Sequence, residues 1–168
     1  YPTRGLRNLL QNVLARLSGT GQEAAAIFRL DTSFGGGKTH SLIALVHAAR
    51  GMAGVKAVEE FVSSAIVPKA GAVRVAAFDG ENADPANGRK LAKGVLAKTP
   101  WGELAFALAG AEGYARVKAS DESGQAPGAE TIAELFGGEP TLILLDELAI
   151  YLRKVSGLPA ARDQFTAF

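Results

Sequence analysis

The sequence predicts an α/β fold: a mostly parallel sheet with helices on both faces. Three observations predict it. Short apolar runs at 24–30, 72–78 and 142–145 alternate with segments of helical spacing. A glycine-rich loop joins the first run to the helix that follows, and two adjacent carboxylates close the third. Strands that alternate with helices favour crossover connections, which lay the helices over a parallel sheet.

Each element has a local reason. Leu6, Leu9, Leu10, Val13, Leu14 and Leu17 recur three and four residues apart, so an amphipathic helix is expected, ending near Ser18-Gly19. Ala24 to Leu30 reads as a buried strand and Asp31 to Gly37 as a loop. Leu42, Ile43, Leu45 and Val46 give Lys38 to Ala49 helical spacing, with Gly51 as the stop. A further helix is expected over Val55 to Val67, halted by Pro68. Ala72 to Phe78 is the second strand. Asp79 to Pro100 is polar and rich in glycine and proline, hence loop, with a helical turn near Leu91 to Ala97. Trp101 to Ala109 and Tyr114 to Lys118 read as helical, Asp121 to Gly128 as loop, Ala129 to Phe136 as helix, and Leu142 to Leu145 as the third strand.

Composition narrows the class. Hydrophobic residues make up 48% of the chain and charged residues 21%, the balance of a globular protein rather than a disordered one. A net charge of +1 supplies no broad basic field for nucleic acid. There is no cysteine, which removes disulfides and thiolate metal sites. No apolar run is long enough to span a bilayer as a helix, so no membrane partner is expected and the cytoplasm is the expected compartment. The chain opens on Tyr1-Pro2-Thr3 and closes on Phe165-Thr166-Ala167-Phe168. It reads as one incomplete domain, with a leader helix in 1–22 and a core in 23–168.

The central motif follows the first apolar run. Thr32-Ser33-Phe34-Gly35-Gly36-Gly37-Lys38-Thr39 matches G-x-x-x-x-G-K-[ST] except for Thr32 at the first position. A triphosphate is a dense anion, and glycines let backbone N–H groups curl around it without side-chain clashes. The positive helix N-terminus adds its dipole. Ser33, Phe34, Gly35, Gly36, Gly37, Lys38, Thr39 and the adjoining His40 form the expected nucleotide-binding set. Lys38 is expected to reach the β- and γ-phosphates, and the Thr39 hydroxyl to ligate Mg²⁺.

The second motif is Leu142-Ile143-Leu144-Leu145-Asp146-Glu147, about one hundred residues after the loop. Asp146 is expected to hold Mg²⁺ through water, because magnesium keeps much of its hydration shell. Glu147 is expected to orient and deprotonate the attacking water, which makes it and Lys38 the catalytic pair. Together the motifs predict a three-layer αβα P-loop NTPase fold. A GTPase should carry an N-K-x-D base-reading motif, and the sequence has none. A small-molecule kinase has no need of Glu147 beside Asp146. His40 reads as a residue that packs or hydrogen-bonds on the helix and His47 as one farther from the loop, Trp101 as a core anchor, and Arg153-Lys154 as a solvated turn. Asp79 ends the second strand, where open sheets place ligand-facing residues.

FRLDTSFGGGKTHSLIAL, PWGELAFALAG, APGAETIAELF and PTLILLDELAIYLRK resemble successive blocks of a large bacterial and archaeal ATPase family long catalogued as a domain of unknown function. The opening YPTRGLRNLLQNVLARL is similar to its leader. The resemblance implies an AAA+-like ATPase truncated after its acidic strand, with ATP and Mg²⁺ as ligands. Family members are typically much longer and often lie near DNA methyltransferase or phage-defence genes. That association implies DNA or defence-system proteins as partners, reached through regions outside this chain, and allows a homo-oligomer. The leader's similarity to replication-initiator ATPases makes Pro2 and Arg4 candidate adenine-side contacts, against an ordinary helix start capped by Thr3.

The expected reaction is therefore Mg²⁺-dependent hydrolysis of ATP. Two alternatives stand beside it: a nucleotide-gated scaffold with negligible hydrolysis, and a DNA-translocating motor. In an AAA+-like sheet, a strand later in sequence would separate strand 24–30 from strand 142–145. The chain alone is accordingly expected to be marginally stable and poorly active.

Overall fold

The structure, a computed structural model, describes residues 2–21, 23–30 and 37–157. It is mixed α/β, with helices α1 (Arg4–Leu17), α2 (Lys38–Ala49), α3 (Pro100–Ser123), α4 (Ala129–Phe136) and α5 (Leu148–Val155). Its strands are β1 (Arg74–Asp79), β2 (Arg89–Lys90), β3 (Leu96–Ala97) and β4 (Thr141–Asp146).

β1 and β4 are neighbours in a two-stranded sheet. Arg74 N–H donates to Pro140 O at one end and Gly80 N–H to Asp146 O at the other, each at 3.0 Å. Both partners advance together along the chain, so the pair is parallel. This is the strand pairing that brings the end of β1 beside the carboxylates closing β4.

Contacts divide the chain into two compact units, Tyr1–Val75 with Pro140–Leu142, and Ala76–Glu139 with Ile143–Phe168. In the first, α1 packs on α2. α1 buries Leu6, Leu10, Val13 and Leu14, one helical stripe, and α2 buries Leu45, Ala48 and Ala49. In the second, Phe78 of β1, Trp101, Leu104 and Val117 of α3, Leu135 of α4, and Tyr151 and Val155 of α5 form one core. Phe78 and Tyr151 meet edge to face with centroids 5.1 Å apart, the arrangement the aromatic quadrupole favours.

Several expectations are corrected. Residues 24–30 form no strand, and Ile27 is 87% exposed and Phe28 37%. An apolar run becomes a strand only with a ladder partner, and its three alanines bring little β propensity of their own. The helix expected over 55–67 is two short 3₁₀ turns, Val58–Glu60 and Ser64–Ile66. Ala57 is left-handed, and the Glu59 carboxylate accepts the Ser64 N–H at 3.0 Å, so local side-chain bonding displaces the helical ladder. The short helical turn expected near 91–97 is present as a 3₁₀ turn, Ala92–Gly94, and it joins β2 and β3, which pair antiparallel with Arg89 opposite Ala97. Asp121–Ser123, read as loop, are the last turn of α3, which breaks its helical geometry only at Ala109 and Gly110.

Candidate functional site

Ser33, Phe34, Gly35 and Gly36, expected to bind the nucleotide, lie outside the described residues. The described part begins at Gly37, which caps α2 in the left-handed region (φ 78°, ψ 23°) that glycine adopts without strain. A Cβ built on Gly37 would meet nothing within 4 Å. No side chain caps α2, and no acidic residue occupies its first turn. A helix leaves its first N–H groups without intrahelical partners, and the positive end of the dipole lies here. Lys38 is half-buried, while Thr39 and His40 are exposed on the same turn. His40 and His47 are both exposed. Ser41 lies one turn on and donates both its N–H (2.9 Å) and its hydroxyl (3.0 Å) to Gly37 O, which fixes the start of the helix.

Pro2 and Arg4 flank the N-cap of α1. Thr3 is that cap, its Oγ1 accepting Leu6 N–H at 3.3 Å and its carbonyl accepting Arg7 N–H at 3.0 Å. Arg4 is exposed and Pro2 half-buried.

Asp146 and Glu147 share a sharp strand-to-helix turn at the end of β4. Glu147 has φ 47° and ψ 37°, a left-handed conformation that costs a β-carbon residue about 1–3 kcal/mol. Its neighbours fix it there. Glu147 N–H donates to its neighbour Asp146 Oδ1 at 3.1 Å, and Glu147 O accepts Ile150 N–H at 3.0 Å. Both acidic residues are half-buried.

Sequence reasoning missed what holds this turn. Gly80 is packed against it: a Cβ there would overlap the Glu147 carbonyl oxygen and come within 3.0 Å of Tyr151 Cβ. Lys154 was read as solvated, yet its Nζ donates to Gly80 O (3.3 Å) and Ala83 O (2.9 Å), and to Glu81 O. A lysine in the last turn of a helix can gather carbonyls that a neighbouring loop leaves unpaired. Asp79 turns back on its own loop, its Oδ1 accepting Glu81 N–H (3.0 Å) and Asn82 N–H (3.3 Å) and its Oδ2 accepting Asn82 Nδ2 (2.7 Å). The Asn82 amide beside it, and those backbone donors, hold the Asp79 carboxyl below its ordinary value, against a smaller upward push from burial. Asp84 repeats the pattern with Ala86 and Asn87. The repeated D-x-x-N spacing was the available signal, because Asx turns follow from that spacing.

Thr39 carries a hydroxyl and Asp146 a carboxylate, oxygen ligands of the kind a hard cation such as magnesium takes. Among the described residues no group of three or more His, Asp or Glu is placed to hold a metal.

A family model described as the DUF499 N-terminal domain matches residues 1–165. No curated protein and no solved structure matches the chain. Among the described residues, no helix is long and apolar enough to cross a membrane.

Proposed function

The chain belongs to the DUF499 N-terminal domain family, and from that premise we propose that it binds ATP and hydrolyses it with Mg²⁺, as the ATPase module of a larger DNA-associated or phage-defence protein. One observation carries the reading. α2 opens at Lys38-Thr39 straight after a left-handed Gly37, and among the described residues no side chain caps it and no acidic residue stands in its first turn. The strained Glu147 beside Asp146 supports it, because strain of this kind gathers where a side chain must be aimed.

The residues divide the work. The α2 N–H groups and Lys38 hold the phosphates and offset charge that builds on them. Thr39 and Asp146 hold Mg²⁺, which when bound neutralises phosphate charge and orients the triphosphate. Glu147 accepts the proton of the attacking water. Pro2 and Arg4 contact the adenine. Asp79, at a strand end of the kind that faces ligands, is spent on its own loop.

Phosphate release by the full-length protein tests the reading, measured with ATP or GTP, with and without Mg²⁺ and DNA. Mg²⁺-dependent release from ATP supports it. Tight ATP binding without release would instead favour a nucleotide-gated scaffold. Release that rises on DNA and falls steeply with salt would favour a translocating motor.

A further inference from the structure

Neither Gly80 nor Lys154 belongs to the phosphate-loop motif or to the 142–147 motif, yet both bear on the turn that carries Glu147. The Gly80 N–H donates to Asp146 O at 3.0 Å, and the Gly80 Cα faces the Glu147 carbonyl so closely that a methyl group would overlap it. Gly80 does not have a positive φ, so its backbone would accept any residue. What demands glycine is the approach of Glu147. Lys154, on α5, grips the same loop through the carbonyls of Gly80, Glu81 and Ala83. Glu147 is the N-cap of α5, so the residue aimed at the reaction and the residue holding the loop belong to one short helix. Tyr151, between them, anchors that helix on Phe78 of β1.

We propose that Gly80 and Lys154 are positioning residues for Glu147: Gly80 by letting its carbonyl into contact, Lys154 by locking the 80–83 loop beneath it. The proposal rests on the ATPase reading for its effect on rate and on geometry alone for its effect on Glu147. Gly80→Ala pushes the Glu147 peptide away and releases its left-handed conformation. Lys154→Met frees the loop and has the same effect in smaller measure. Displacements of this size at a reacting group cost up to about 10²-fold in rate with little effect on binding.

The test uses the full-length protein carrying Gly80→Ala, Lys154→Met or Lys154→Arg. Folding is followed by circular dichroism, affinity with a fluorescent ATP analogue, turnover by phosphate release, and the Glu147 amide by ¹H–¹⁵N spectra of glutamate-labelled protein, assigned by its loss in Glu147→Gln. The expected result is a displaced Glu147 resonance and a kcat lowered at least about tenfold, with nucleotide affinity retained. Lys154→Arg, which keeps a donor, should restore both. An unmoved resonance overturns the proposal, and so does a moved resonance with unchanged kcat. Should the wild type release no phosphate, the ATPase reading fails alone, and the Glu147 resonance decides the positioning. Should Gly80→Ala not fold, the two Lys154 variants decide it.

Discussion

Gly102 is packed against the carboxylate of Asp121: a Cβ on Gly102 would lie 2.7 Å from Asp121 Cγ and overlap Oδ1. Asp121 is 1% exposed. It accepts the N–H groups of Lys98 (3.1 Å) and Thr99 (2.9 Å) and the Thr99 hydroxyl, and the Tyr114 hydroxyl lies 3.0 Å from it. One carboxylate therefore ties the start of α3 to its last turn. Asp121→Ala should lower unfolding free energy by roughly 2–5 kcal/mol, because several donors lose their acceptor in a buried place. Gly102→Ala should cost about 1–3 kcal/mol through overpacking. Urea unfolding midpoints measure both, and a variant within experimental error of wild type would remove the carboxylate from the list of structural anchors.

Lys38→Ala should weaken ATP binding roughly 10- to 100-fold, the worth of a charge-assisted contact to phosphate. The fold should survive, since Lys38 belongs to an exposed helix end. Equilibrium titration of the full-length variant with ATP reads the change. Wild-type affinity would count against the phosphate-loop assignment.

Two substitutions at Glu147 should part activity from stability. Glu147→Gln keeps the shape but cannot take up the water's proton, so hydrolysis should fall by about 10²–10⁴ while ATP still binds. Glu147→Gly removes the Cβ from a left-handed position and should raise stability by about 1 kcal/mol. Hydrolysis should be lost with it. Thermal melts and phosphate release, run on the same samples, report both; a destabilised Gly variant would mean that the turn is not strained.

The acid response should carry two opposed contributions. Asp79 is held below its ordinary value of 3.8, with Asn82 as the main cause. Its share of stability is fully present above that value and is lost as pH falls through the lowered one. Glu103 on α3 is pushed above its ordinary 4.5 by burial, with Arg89, 3.0 Å away, pulling it back. Its share runs the other way: stability is greatest below the ordinary value and declines as pH rises through the raised one. Asp79→Asn should therefore flatten the acid limb of stability, and Glu103→Gln should flatten the decline just above it. Urea midpoints from about pH 3 to pH 7 would show each effect, and parallel curves for variant and wild type would refute it.

Much of the local structure was legible because its causes are local. α1 lies where its leucine spacing put it, with Thr3 as cap. The break in α3 falls at Ala109 and Gly110, at the end of the first of the two helical segments read from the sequence. β1 and β4 formed where short apolar runs end in carboxylates. The errors share a different cause. Ile27 and Phe28 look like a buried strand by composition, but burial needs a neighbour that composition does not name. Asp121 looks like loop by polarity, and only contact with Lys98 and Thr99, more than twenty residues earlier, makes it a core residue.

The candidate chemistry divides along the same line. Lys38, Thr39, Asp146 and Glu147 were named from residue type and spacing alone, because phosphate and magnesium demand particular atoms at a strand end and a helix start. That Glu147 sits left-handed, that Gly80 makes room for it, and that Lys154 holds the loop beneath it were decided by tertiary structure. The last two of those facts join residues about seventy positions apart, and a contact made by the folding of β1 against β4 leaves no periodic trace in either segment.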